Sequence, residues 1–408
     1  MLCASLFASS LTVFFVQFLQ YLRFESSCFS TQLITHSPRP FTMAAAGIAS
    51  AIKVLNIITG IIGFIPFAME NFGGQDSAAS VIKFTVGLDV AGGLQNAGGD
   101  LPDVRLFNEG GEFLGISTDP GSVGDGSTAE IKVKHNDGNG QQAAYALFSA
   151  NDNAVCVASI SITWPNGDQY GWVGDWGQAC GGSWYFNVFI KGSDYKPNCL
   201  WIDANGDQPQ TGFQVHFPEF VSKDDKQVAP VIDDVNYYCN SGPPFKLYTD
   251  RDPRSITYWV LSSKGRKTKR HSADPGRSRR VRRTALHHRR QIITTTNNST
   301  TNTTQPSAAR FSDYLITSSD VTHAAATLCG SATSVGPDFA NDVEGLFCRM
   351  EDKTLWPFCD GGKVTDDCFD AVSQQLVIGG KAARDKRYVK VVSWGAGGKG
   401  GAEGSGGQ

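Results

Sequence analysis

Ala154-Val155-Cys156-Val157-Ala158-Ser159-Ile160-Ser161-Ile162 alternates β-branched apolar residues with small or polar ones. Successive side chains of a strand point to opposite faces, so a period of two predicts a strand with one face in a core. The same texture extends outward on both sides. VIKFTVGLDV (81–90), DVRLFNEGGEFLGI (103–116), AEIKVKH (129–135), AAYALFSA (143–150), QYGWVGDW (169–176), SWYFNVFI (183–190) and GFQVHFPEF (212–220) are separated by NDGNG, PNGD and NGDQ. Gly, Asn, Asp and Pro at those breaks are turn residues. About eight short strands at this spacing predict an antiparallel β-sandwich over residues 80–262. An apolar content of 41%, with 25 Phe, 11 Tyr and 8 Trp, is ample for cores in a chain of 408 residues.

Beyond that region the texture changes abruptly. KGRKTKRHSADPGRSRRVRRTALHHRR (264–290) holds 12 of the 36 Lys and Arg, with Asp274 as its one acid. The remainder carries 24 basic and 38 acidic residues, a formal −14, against −3 for the whole. A nucleic-acid module would interleave stacking aromatics or place the cations on a groove-binding helix. Here Asp274-Pro275-Gly276 breaks any helix and histidines are the only rings, so no nucleic-acid partner is expected. The stretch contains dibasic pairs ending at Arg270, Arg280, Arg283 and Arg290. A kexin-like protease accepts such pairs in an extended, accessible chain. TTTNNSTTNTTQPS (294–307) follows, with no apolar periodicity and with glycosylation acceptors at Asn297, Asn298 and Asn302. Residues 263–309 therefore read as a disordered processing linker.

The final ordered unit is expected at 310–394, a small disulfide-bonded α+β fold. Ser319 is placed to cap an Ala-rich helix ending at Cys329-Gly330, GLFCRMEDKTLWPFC reads as a hairpin, and RYVKVVSW as a last strand. The tail 395–408 is Gly-rich.

The ten cysteines fall in even sets: Cys3 and Cys28; Cys156, Cys180, Cys199 and Cys239; Cys329, Cys348, Cys359 and Cys368. CxxC pairs suited to zinc are absent, so bridges within each set are expected, and with them the secretory pathway and an extracellular location. Pairing of sequence neighbours gives Cys156–Cys180, Cys199–Cys239, Cys329–Cys348 and Cys359–Cys368. LFASSLTVFFVQFLQ (6–20) has the apolarity of a signal h-region, without a basic segment before it. Residues 1–42 read either as a signal or as a gene-model extension preceding Met43. The apolar stretch 43–69, inside a segment running to 79, reads as a docked helix or propeptide. A membrane span through it stays open, since about 20 apolar residues suffice.

Three groups could carry chemistry. Five tryptophans, Trp164, Trp172, Trp176, Trp184 and Trp201, could offer flat faces to a sugar or pack beside the Cys180 bridge. Asp203, Asn205 and Asp207 alternate as in a calcium loop, but Gln208 and Gln214 stand where an EF-hand would carry Gly and Glu. Asx-rich turns share that spacing without metal. Asp175, His216 and Glu219 are the nearest approach to an acid–base set, in a sequence lacking GxSxG, HExxH or a phosphate loop. No cofactor is expected, with calcium at Asp203, Asn205 and Asp207 left as the one alternative. The expectation is a binding or host-interaction protein without catalysis, the alternative a hydrolase acting on a surface polymer.

The segments IKVLNIITGIIGFIPFA, NAGGDLPDVRLFNEGGEFLG, VGDWGQACGGSWY, CLWIDANGDQPQTGFQVHFPEF and GPDFANDVEGLFCRMEDKTLWPFC resemble uncharacterised secreted proteins of filamentous fungi that carry an arginine-rich linker. That resemblance implies secretion and a two-part layout, and brings no activity. The first hairpin (81–115) also looks like the opening of PLAT-type sandwiches, which implies lipid or protein partners.

Overall fold

The strand Val155–Thr163 is buried along all nine residues and forms the spine of a seven-stranded antiparallel sheet in this computed structural model. The structure describes residues 73–87, 97–275 apart from 139, 188–195, 223–234 and 264, 311–382 apart from 312 and 363, and 388–395. The stretches 1–42 and 43–69, Arg280, Arg283 and Arg290, the acceptors Asn297, Asn298 and Asn302, and residues 396–408 lie outside the described residues.

Val155–Thr163 pairs on one side with Ala79–Val86, which leads to Thr128–Lys134. On the other it pairs with Cys199–Ile202 and then Trp184–Tyr185, and also with Gln169–Val173, which carries Val221–Ser222. A second, five-stranded antiparallel sheet runs Phe245–Tyr248, Gly212–His216, Tyr145–Ser149, Asp103–Phe107, Phe113–Ser117. Rings join the two sheets. Phe84 meets Phe148 at 6.2 Å, and Trp172 stacks on Phe213 at 4.9 Å and on Phe245 at 5.6 Å. These offset aromatic contacts add specificity to the area they bury.

Two bridges differ from the neighbour pairing expected from sequence. Cys156 bonds Cys199, and Cys180 bonds Cys239. The register explains the first: Cys156 lies opposite Trp201, which puts Cys199 on its diagonal and on the same face. Cys180 closes the short helix Asp175–Ala179 onto the helix Val235–Asn240. Cys329–Cys348 and Cys359–Cys368 form as expected.

The basic stretch is ordered further than its composition suggests. Lys267–Ala273 pairs with Ser255–Leu261 over seven residues, and Ser262 and Arg266 close the turn through a 2.8 Å backbone bond with Gly265 at φ 71°. Arg270 therefore sits in a strand rather than in an extended linker. The apolar strand Ser255–Leu261 recruits a partner that has no apolar alternation of its own.

In the C-terminal part, five strands run Thr354–Pro357, Leu346–Arg349, Asp338–Asn341, Tyr314–Ser318, Lys390–Trp394. Tyr314–Ser318 is parallel to both its neighbours. Parallel pairing needs a crossover, and the one between Ser318 and Asp338 holds the helix Ala325–Cys329. Ser319 does not cap that helix. Glu344 does, accepting from the amides of Ala325 at 2.6 Å and Ala326 at 3.3 Å, because a carboxylate suits the orphan donors of a first turn. A three-stranded sheet, Cys368–Asp370, Gln375–Ile378, Lys381–Ala382, completes the part.

The two parts share one hydrophobic core. A single cluster runs from Ile82 and Trp172 through Trp184, Phe186 and Trp201 to Phe311, Phe339 and Trp394. No disulfide joins them among the described residues. The units expected to be independent are held together by the chain, by packing and by hydrogen bonds, with no bridge between them among the described residues.

Candidate functional site

His216 ends the strand Gly212–His216, where Pro218 helps turn the chain into the 3-10 segment Phe217–Glu219. That turn brings Glu219 back toward its i−3 neighbour. His216 Nδ1 lies 3.2 Å from Glu219 Oε1, while His216 Nε2 lies 2.7 Å from Glu109 Oε2. Glu109 comes from the turn between Asp103–Phe107 and Phe113–Ser117, and it is 64% exposed, in contrast to the buried His216 and Glu219. The imidazole stacks on its cross-strand neighbour Tyr145 at 4.0 Å and 11°.

Around this array the hairpin closes in. Trp259 donates its backbone N–H to Tyr145 Oη at 3.1 Å and its indole Nε1–H to Glu219 Oε1 at 2.7 Å. Tyr237 stacks on Trp259. Lys267 Nζ lies 3.9 Å from Glu219 and 5.4 Å from the centre of the Trp259 ring. Gly111, at φ 77°, packs so tightly on Tyr258 that a Cβ there would meet the ring at 2.6 Å.

Burial by itself would lower the His216 pKa; hydrogen bonding and charge from Glu109 and Glu219 outweigh it and raise it. Burial pushes the Tyr145 and Tyr237 hydroxyls up. The result is an imidazole whose protonated form is favoured by the two carboxylates beside it. A nucleophilic triad needs a hydroxyl or thiol at the imidazole nitrogen facing away from the orienting carboxylate. Here that nitrogen faces Glu109.

Asp175 does not join the set. Its Oδ1 accepts from Asn198 Nδ2 at 2.9 Å and from the Asn198 amide at 3.2 Å. Asp203 Oδ2 accepts the amides of Gly206 and Asp207, both at 2.7 Å, and Asn205 Oδ1 that of Asp207 at 3.2 Å. This is the hydrogen bonding of an Asx turn. Among the described residues no group of three or more His, Cys, Asp or Glu side chains is placed to hold a metal. The five tryptophans are buried, each at most 2% exposed, so none presents a face to a sugar. Trp176 packs on Phe220 and Tyr238 beside the Cys180–Cys239 bridge.

Glu109 escaped the sequence reading because NEGGE has the signature of a turn and nothing local ties it to His216, 107 residues away. The exposed chemistry lies on the hairpin. Arg266, Lys267, Thr268, Lys269 and Arg270 are all exposed, and the register sets Tyr258 opposite Arg270 and Trp259 opposite Lys269. Comparison with protein-family models and with curated proteins finds no match to this chain. Among the described residues no helix is long and apolar enough to cross a membrane, and this with four disulfides is compatible with an extracellular protein.

Proposed function

We propose that this is a secreted binding protein without catalysis, a β-sandwich fused to a small α+β unit and matured by a kexin-like protease, whose ligand is an anionic glycan. The observation that carries it is the hairpin Ser255–Leu261 with Lys267–Ala273, where exposed Arg266, Lys267, Lys269 and Arg270 lie across from the half-buried Tyr258 and Trp259 on an otherwise acidic molecule. An acidic sugar has a flat apolar face and a carboxylate or sulfate at its edge. Trp259 shares its face of the hairpin with Lys267 and Lys269, so ring and cations there match both features, and the opposed charge of the body orients the approach. Catalysis is disfavoured because His216 Nε2 is engaged by Glu109 and Asp175 is engaged elsewhere.

Retention on immobilised polygalacturonate or heparin, read across a salt gradient, tests this. Wild type should bind and elute with salt, and Lys267→Glu/Lys269→Glu/Arg270→Glu should pass through. Equal retention of the triple variant overturns the reading. So does stronger binding to phosphatidylserine vesicles, which would make the ligand a lipid.

A further inference from the structure

The contact between the two parts resembles an interface between separate chains. Trp184 sits at the edge of the seven-stranded sheet, and the segment 333–335 lies along it through a single parallel bridge between Trp184 and Ser334. The Trp184 amide donates to Thr333 O at 3.1 Å and Trp184 O accepts from the Val335 amide at 2.8 Å. Three ring donors complete the seam. Trp184 Nε1–H reaches Ser331 Oγ at 2.9 Å, Trp201 Nε1–H reaches Val335 O at 2.9 Å, and Tyr185 Oη–H reaches Pro337 O at 2.8 Å. Lys196 and Asp320 form an ion pair across it. Gly336 packs on Tyr185 so closely that a Cβ would fall 2.3 Å from the ring. Such a mix of buried aromatic anchors and satisfied polar groups characterises stable protein interfaces.

His323 lies in the middle of this seam. Its ring stacks on Phe186 from the first part at 4.7 Å and meets Trp394 edge-on at 5.4 Å. It is 3% exposed, and neither ring nitrogen is hydrogen-bonded. The charges facing it are Lys196 from the first part and Asp320 from its own loop, already paired with each other. Glu344 is occupied by the helix Ala325–Cys329, and Lys390 lies four residues from Trp394 on its strand. A proton on His323 would thus be a buried cation beside Lys196, its cost offset only in part by the Asn187 backbone.

We propose that a cut in the segment between 275 and 311 leaves the two parts bound as a noncovalent pair, and that acid separates them with His323 as the trigger. The proposal rests on the processing reading for its occurrence in the secreted protein; the seam itself does not depend on it. Burial first, and the Lys196 charge second, draw the bound ring's pKa down to about 3, the Asn187 backbone offsetting only part of this. A ring exposed in a free C-terminal chain returns to about 6.5. A depressed pKa stabilises the bound state above about pH 6.5 and loses that contribution as pH falls toward the bound value. By proton linkage the affinity should drop about 30-fold between pH 7.5 and pH 5.

The test inserts a site-specific protease sequence between Gln291 and Ser307 of the full chain, cuts it completely, and measures association by sedimentation. The pair should stay together at pH 7.5 without reductant and weaken about 30-fold by pH 5. In His323→Phe the affinity should be nearly independent of pH over that range. Separation at pH 7.5 overturns the pairing, and an unchanged pH response in His323→Phe overturns the trigger. Should His323→Phe misfold, imidazole NMR on the cut wild type decides: titration of His323 above pH 5 in the bound state also overturns the trigger. Failure of natural processing is read separately, as an intact 264–290 stretch in terminal sequencing of the secreted protein.

Discussion

Arg105 Nε donates to Asp274 Oδ2 at 3.3 Å, across 169 residues, and both side chains are buried. Asp274 is the one acid in the most basic stretch of the chain, and it anchors the end of the hairpin there. Arg105 also donates to Ser149 Oγ at 2.8 Å and lies 3.5 Å from Asp252 and 3.8 Å from Asp103. Removing one partner from a buried charge network exposes the rest to its desolvation cost. Asp274→Ala should therefore destabilise the protein by about 3 kcal/mol in urea denaturation, and amide exchange should quicken across Lys267–Ala273. Unchanged exchange there would show that strand pairing alone holds the hairpin.

That anchor also explains what sequence could and could not tell. Val155–Thr163 and its neighbours were legible because alternation and turn residues are local properties. Lys267–Ala273 was not, since KTKRHSA has no apolar period and its order comes from Trp259, Tyr258 and a distant arginine. His216 and Glu219 were legible as candidates in VHFPEF, but the turn at Phe217–Glu219 that brings them together is seen only in the structure. Glu109 and the exclusion of Asp175 depend on sheet register, as does the bridge from Cys156 to Cys199.

The hairpin changes where a protease should cut. A dibasic site must enter the protease as a free extended strand, and Lys269-Arg270 is already paired with Tyr258 and Trp259. Arg270→Ala should leave the processing pattern unchanged. Arg280→Ala/Arg283→Ala/Arg290→Ala should abolish it even with Arg270 present. Terminal sequencing that finds a chain ending at Arg270 would contradict this.

The bridges should differ in worth by the loops they close. In the chain-entropy account, Cys180–Cys239 at a separation of 59 residues contributes about 4 kcal/mol and Cys359–Cys368 at 9 about 3 kcal/mol. Peptide mapping should recover Cys156–Cys199 and Cys180–Cys239. Cys180→Ala/Cys239→Ala should lower the urea midpoint more than Cys359→Ala/Cys368→Ala, and the reverse order would place native packing above loop entropy.

His216 should respond to pH in the sense opposite to His323. Its pKa is raised in the folded protein, the two glutamates outweighing burial. A raised pKa means the folded state holds its proton longer than the unfolded chain does. The resulting stability is fully present below about pH 6.5 and is lost as pH rises through the folded value. Wild type should lose stability from pH 6 to pH 9 relative to His216→Gln, measured as the difference between two urea titrations. Glu109 is mostly exposed, so solvent screens its share. Glu109→Gln should cost under about 1 kcal/mol at pH 6 and move the imidazole titration down. Glu219 is buried and accepts from Trp259 as well. Glu219→Gln should therefore lower the His216 titration further than Glu109→Gln and loosen the hairpin, seen as a red-shifted Trp259 emission. Equal shifts from the two substitutions would mean that distance to the ring, rather than burial of the carboxylate, sets the charge on His216.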